Sequence, residues 1–286
     1  METTEQNGRW QLGDLLSELM EATAETTPEP RAEIWASDLG KPFVDRWLQM
    51  RGVPYSNPAT GKDLVTYFLG KQIELGIATM LSRCGIPHQR QERLSVRMEG
   101  CLPVVGRPDL VLAVRDWQEV MEGLDERLDR EPREHAESPV ERQAIRALLA
   151  SWQRRRPEGL GPMVFEVKSL NSWAYRYHRD RDGLSNAYPH HKLQLYTYLR
   201  GLGLQEGHLL YVARDTGWIE EVIVREDETL AQAWLEDVTT MSAYFRGDER
   251  PPLEPRQIAG KENWRVTYSR YKDYLYQEVP HGAFAF

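Results

Sequence analysis

The most constraining stretch of this chain is Met163-Val164-Phe165-Glu166-Val167-Lys168-Ser169-Leu170. Its apolar, β-branched and aromatic residues predict a strand, and side chains along a strand alternate between faces. Met163, Phe165 and Val167 therefore share a wholly apolar face, while Val164, Glu166 and Lys168 share the other. Such apolar flanks predict a central strand, yet one face carries a carboxylate and an ammonium roughly 6.6 Å apart. Burying either charge alone is costly, so the two must pair, meet a metal ion or line a wet cleft. A salt bridge on an edge strand is the plainer alternative. Lysine is scarce here, with 29 of the 36 basic residues being Arg, so a lysine inside an apolar run stands out.

A second apolar run, Pro108-Asp109-Leu110-Val111-Leu112-Ala113-Val114, predicts another strand covered on both faces. Pro108 cannot donate to a ladder and suits a strand's first residue. Asp109 beside it reads either as a turn cap or as a ligand. Two adjacent strands that each offer a carboxylate make an oxygen-only site, which suits Mg²⁺ or Mn²⁺.

Helices are predicted over 8–21 (Trp10, Leu15, Leu16, Leu19, Met20), over 36–50 with Ser37 or Asp38 as cap, and over 63–83. Residues 93–98 alternate as a strand, and 116–160 read as a charged helical hairpin. A helix over 186–201, strands through HLLYVAR and WIEEVIV, and a helix over 227–246 follow. The order predicts an α/β domain with a mixed central sheet flanked by helices. The expected segmentation is an N-terminal helix and linker (1–34), one domain (35–246) carrying the helical insertion 116–160, and an aromatic tail (247–286) packed on that domain.

These residues resemble the PD-(D/E)XK nuclease superfamily: Pro108-Asp109, then Glu166-Val167-Lys168. Gly106-Arg107-Pro108-Asp109-Leu110 is similar to its RecB-like branch, which includes CRISPR-associated RecB-like and phage exonucleases. Gln194-Leu195-Tyr196-Thr197-Tyr198 fits that branch's Gln-apolar-x-x-Tyr motif, and Gly70-Lys71-Gln72-Ile73-Glu74 stands where it has Gly-x-x-x-His. The resemblance covers roughly 35–225. It implies a restriction-endonuclease-like core and metal-dependent hydrolysis of DNA, expected as an exonuclease in recombination, repair or phage DNA processing. By the same resemblance Asp109, Glu166, Glu74 and the Val167 carbonyl would hold Mg²⁺ or Mn²⁺. Lys168 would orient the attacking water or stabilise developing charge, and Gln194 and Tyr198, one helical turn apart, would border the site.

The chain departs from that branch at three points. Glu74 replaces the His, and it reads either as a third carboxylate ligand or as a solvated helix residue. The only cysteines, Cys84 and Cys101, lie outside the regions that hold the branch's iron–sulfur cluster, so no cluster is expected. The 57 positions from Asp109 to Glu166 make room for the insertion, which reads as a clamp, a docking arm or padding. Its Arg154-Arg155-Arg156 run reads first as a solvated face.

DNA contacts are expected from Arg107 and from Ser172–Arg181, where Tyr175, Arg176, Arg179 and Arg181 sit among further aromatics. His191 and Lys192 are added where the next helix begins, since a helix N-terminus can receive a phosphate. Zinc on His190-His191 is not expected, because adjacent helical histidines diverge. The net charge of −8 opposes tight general coating by nucleic acid. The expected partners are DNA and a recombination or replication protein. No membrane is expected, for no segment approaches the length of a span. The N-terminus lacks a signal peptide's features and cysteine is sparse, so the expected location is the cytoplasm of a prokaryote or a phage-infected host. The alternative function is a non-catalytic subunit that keeps the fold for binding or assembly; a glycosidase pair, Glu166 with Asp109, lacks a sugar platform.

Overall fold

The computed structural model describes residues 12–113, 117–129, 139–155, 162–181, 183–258 and 260–276. In chain order the elements are α1 (Leu12–Ala22), β1 (Ile34–Trp35), α2 (Phe43–Met50), α3 (Gly61–Arg83), β2 (His88–Gln89), β3 (Leu94–Val96), β4 (Val104–Gly106) and β5 (Leu110–Leu112). Then come α4 (Trp117–Asp129), α5 (Pro139–Arg155), β6 (Met163–Leu170), α6 (Ser172–Arg181), α7 (Leu184–Ala187), α8 (Pro189–Leu202), β7 (Glu206–Ala213) and β8 (Ile219–Arg225). The last are α9 (Glu228–Arg246), β9 (Gln257–Ile258), β10 (Lys261–Glu262), α10 (Trp264–Thr267) and α11 (Lys272–Tyr276). Two compact units interleave along the sequence. One comprises Met1–Glu33, Lys41–Leu69 and Thr240–Phe286; the other comprises Ile34–Gly40 and Gly70–Thr239.

The second unit is α/β, with mixed sheets flanked by helices. Its strands form two sheets, β1-β4-β3 and β2-β5-β6-β7-β8, the larger being the mixed central sheet expected. The break falls at Arg107-Pro108-Asp109, between β4 and β5, where Pro108 has no N–H to continue a ladder. β6 takes the centre of the larger sheet, antiparallel to β5 and parallel to β7. Its Val164 and Glu166 are buried. α8 covers that side closely, because Gly207 has no side chain. A Cβ there would stand 2.9 Å from Leu199, 3.0 Å from Val164 and 3.1 Å from Leu195.

The Met163 and Phe165 side of β6 packs against Ile86 and Leu112, together with Leu81, Val120 and Leu148. Val120 and Leu148 come from α4 and α5, which share their own cluster of Met121, Leu124, Ile145 and Leu149. The insertion therefore roofs an apolar face of the central strand. Arg154 is exposed on it; the side chains of Arg155 and Arg156 lie outside the description, as does Trp10.

The helix expected over 36–50 is shorter. Ala36–Asp38 form one 3-10 turn, then Gly40 at φ +73° and Pro42 restart the chain, and α2 begins at Phe43. Neither Ser37 nor Asp38 caps it; Pro42 occupies the N-cap position. In the first unit, Val44, Leu48 and Tyr55 cluster with Tyr271 and Leu275 of the aromatic tail. Tyr271 Oη donates to the Val53 carbonyl at 2.9 Å, and Asn57 and Asp273 exchange two hydrogen bonds of 2.8 and 2.9 Å. Among the described residues no helix is long and apolar enough to cross a membrane.

Candidate active site

The second unit brings together Glu74 from α3, Asp109 from the start of β5, Glu166 and Lys168 from β6, and Gln194 and Tyr198 from α8. All but Lys168 are less than a tenth exposed. β6 places the first pair by strand alternation. Glu166 lies on the same face as Val164, and Lys168 follows it two residues on. Lys168 Nζ donates to Glu166 Oε1 at 2.8 Å and to Gln194 Oε1 at 2.7 Å. Gln194 Nε2 donates to the same Glu166 oxygen at 2.7 Å and to Tyr198 Oη at 2.9 Å. Tyr198 Oη in turn donates to the Arg107 carbonyl at 3.4 Å. Glycine makes this last approach possible, since a Cβ at Gly106 would lie 2.6 Å from Tyr198 Cε1.

Asp109 does not cap a turn. The β5–β6 pairing reaches Leu110 opposite Phe165, and Asp109 Oδ2 then accepts the Val167 N–H at 2.8 Å. The carboxylate thereby serves the next donor along β6. Glu74 is no solvated helix residue either. It is 4% exposed, and Gly70 one turn earlier sits close to β6, where a Cβ would be 3.1 Å from Ser169 Oγ. Lys71 Nζ donates to Glu74 Oε2 at 2.8 Å, and Arg90 reaches Oε1 at 3.2 Å.

Gln91, which the sequence did not single out, joins the two carboxylates. Its Nε2 donates to Glu74 Oε1 and to Asp109 Oδ1, each at 2.8 Å. Its backbone is left-handed, φ +53°, and its N–H donates to the Pro108 carbonyl at 3.0 Å. A glutamine in that region is strained and persists only where its surroundings fix it. The polar run His88–Arg93 was the only hint in the sequence.

Burial pushes the Asp109 carboxyl up to about 8, and the charges of Glu166 and Glu74 push the same way; the Val167 N–H and Lys168 offset only part of this. Burial also acts against the charge on Glu74, but Lys71, Gln91 and Arg90 outweigh it and hold that carboxyl below its ordinary value. Burial, then the Glu166 charge, raises the Tyr198 phenol. Glu166 Oε2 is buried without a hydrogen-bond partner. Among the described residues no three His, Cys, Asp or Glu side chains stand ready to hold a metal ion. Gln91 and Lys168 supply the positive ends to which the carboxylates turn. A divalent cation fits Asp109 and Glu166 on two grounds: their donors are hard oxygens, and a buried oxygen lacks any donor.

The residues expected to meet DNA divide. Arg107 is exposed, its guanidinium 5.6 Å from the Trp35 ring centroid. Arg176, Arg179 and Arg181 are exposed on α6; Arg176 stacks over Trp218 at 4.5 Å, and Arg179 pairs with Asp180 at 2.8 Å. Tyr175 must be withdrawn as a stacking residue. It faces inward, 3% exposed, with its hydroxyl 3.4 Å from Glu220 Oε2. The outward aromatics are Trp173 and Tyr177, a helical turn apart. His191 is half-buried, stacked on Tyr188 at 5.0 Å with Nδ1 3.1 Å from Tyr211 Oη. Burial, and then the charge of Lys168, hold its pKa well below the usual value, so it offers phosphate no charge at neutral pH. Lys192, at the start of α8, donates to Asn186 Oδ1 at 2.9 Å.

No protein-family model matches this chain, and no curated protein sequence matches it either. Among solved structures, the crystal structure of SSO0001 is similar over 91% of this chain and 93% of its own, with 17% identity and a TM-score of 0.48.

Proposed function

We propose that this chain is a Mg²⁺- or Mn²⁺-dependent nuclease that hydrolyses DNA phosphodiester bonds. One observation carries the reading. Three carboxylates from three elements converge, and although Lys71 and Arg90 meet Glu74 and Lys168 meets Glu166, one Glu166 oxygen is left buried without a donor. Structural ion pairs are normally satisfied, whereas this site is built to receive one more positive group.

Asp109 and Glu166 would hold the ion, with Glu74 and the Val167 carbonyl within the same donor set. The bound ion supplies a Lewis acid that lowers the pKa of a water and neutralises charge on the phosphate. Gln194 holds Lys168 from one side and Glu166 from the other, so the ammonium is already oriented before substrate arrives. Lys168 would donate to a non-bridging phosphate oxygen as charge builds there. The water oxygen would form the new bond to phosphorus as the bond to the leaving oxygen breaks; the water's proton goes to solvent, and the leaving oxygen takes one from solvent to become a hydroxyl. We assign the activity to an exonuclease of DNA recombination, repair or phage DNA processing. It would work in the cytoplasm, in keeping with Cys84 and Cys101 forming no disulfide, and alongside a recombination or replication protein.

The test is an Mg²⁺ and Mn²⁺ assay on linear and circular, single- and double-stranded DNA. Asp109→Asn, Glu166→Gln and Lys168→Ala should each lower cleavage at least 10³-fold, while circular dichroism shows the fold intact. A need for free ends marks an exonuclease; cutting of circles marks an endonuclease. Undiminished cleavage by Glu166→Gln sinks the reading. No cleavage by any preparation, with no metal binding by calorimetry, leaves the non-catalytic subunit.

A further inference from the structure

We propose that the outer face of α6 is a stacking site for an unpaired base of single-stranded DNA, placed to lead the strand to Glu166 and Lys168. This deepens the nuclease reading and rests on it for the strand's destination, though not for the binding itself.

α6 starts directly after β6. Asn171 caps it, with Oδ1 accepting the Ala174 N–H at 2.7 Å, so Trp173 is fixed five residues past Lys168. Trp173 and Tyr177 lie parallel, centroids 5.1 Å apart and planes 13° apart, and Trp173 is 70% exposed. The two rings, with Ser172, Arg176, Asp180 and Arg181, line an open hollow of about 580 Å³. Arg181 donates to the Tyr177 hydroxyl, its guanidinium 5.6 Å from the ring centroid.

The rings continue inward from this hollow. Tyr177 meets His178 edge-on at 5.1 Å, His178 meets Tyr188 at 5.0 Å, and Tyr188 stacks on His191 at 5.0 Å. His191 touches Tyr211, which sits opposite Lys168 in the β6–β7 register. A run of ring contacts thus joins the exposed Trp173 to Tyr211, whose strand neighbour across β6–β7 is Lys168. Its outer end is flanked by guanidiniums, and its inner end feels the charge of Lys168.

A stacked pair at i,i+4 spacing also supports a bare helix, and an exposed tryptophan also suits a protein partner. The surrounding charge decides between these. A partner's apolar surface would have to desolvate Arg176 and Arg181, whereas a single strand brings a base for the rings and phosphates for both arginines. A duplex hides its bases in the stack and offers only phosphates. The discrimination therefore belongs to single strands.

The experiment measures the anisotropy of labelled oligothymidylate and of a blunt duplex of equal length, with the full chain in EDTA. Trp173→Ala and Tyr177→Ala should each weaken oligothymidylate binding by roughly 5- to 160-fold, about 1–3 kcal/mol per stacked base, and duplex binding by less than about twofold. Trp173→Phe should keep most of the affinity, and melting temperatures should fall only slightly, since losing the i,i+4 ring pair costs about 0.2–0.5 kcal/mol. Equal loss on both DNAs, or no loss, overturns the proposal and gives the face to a protein partner or to solvent. Cleavage is assayed separately in Mn²⁺. If Glu166→Gln still cuts DNA but the binding difference persists, catalysis is misassigned and the stacking site stands. If Glu166→Gln is dead and the difference is absent, the stacking site alone falls.

Discussion

At the scale of single residues, the site is a balance between like charges that must be separated and donors that hold them apart. Glu74 and Asp109 share one amide, that of Gln91, and Glu166 shares one oxygen between Lys168 and Gln194. Removing the Gln91 amide leaves two buried carboxylates facing each other. Gln91→Ala should therefore destabilise the metal-free chain by about 1–3 kcal/mol in urea unfolding. Gln91→Gly should recover roughly 1 kcal/mol of that, because glycine accepts φ +53° without strain. Added Mn²⁺ should narrow the gap, since a cation at Asp109 replaces the missing donor; an Ala variant as stable as the parent would show that the bridge carries nothing. Asp109, Glu166 and Lys168 were legible in the sequence because strand alternation is local and apolar neighbours make a charge conspicuous. Gln91 was not, because its role depends on a left-handed turn and on α3 arriving from 17 residues away. Tyr175 was misjudged for a related reason: in Ser172–Arg181 composition showed rings and arginines, but only the helical turn decides which of them face outward.

At the scale of elements, α2 and the α4–α5 hairpin carry consequences that the sequence pattern did not show. α2 begins at Phe43, which puts Asp45 in its first turn, with Oδ1 buried and unpartnered. Burial raises its pKa from 3.8 to about 6, and the Ser269 hydrogen bond and Lys41 offset only part of that. Between those values the folded chain holds more protons than the unfolded one, so stability falls as pH rises from about 4 to about 6. The full penalty, at most about 3 kcal/mol by the size of the shift, is present above pH 6 and absent below pH 4. Asp45→Asn should gain stability relative to the parent over that same window, read as a difference in melting temperature that opens between pH 4 and pH 7 and then stays constant. A difference that does not change with pH would remove Asp45 as its cause. The α4–α5 hairpin was legible as helical from its charge pattern, but not its duty, because the apolar face it covers lies on β6. Replacing 117–155 by a short turn should uncover Leu112, Met163 and Phe165. The expected outcome is dye binding to exposed apolar surface and aggregation; a monomer of unchanged melting temperature would make the hairpin dispensable padding.

At the scale of the whole molecule, a net charge of −8 has to be reconciled with the polyanionic substrate proposed above. The fold does this by location. Arg107, Arg176, Arg181 and Lys192 lie around the proposed path, whereas the acidic residues at the site are those that would face the metal ion. The sum of charges sets the long-range field, and in the proposed complex these few cations would set the contacts. If each meets one phosphate of a single strand, the slope of log affinity against log salt should be about −3, from roughly 0.7 per phosphate. Between 50 and 200 mM salt, oligothymidylate binding in EDTA should then weaken by roughly 60-fold. Arg176→Ala or Arg181→Ala should each reduce the slope by a little under one. Trp173→Ala should leave it unchanged, because stacking releases no counterions. A slope steeper than about −6 would mean that the strand meets far more of the surface than this path, and a flat one that these four residues touch no phosphate.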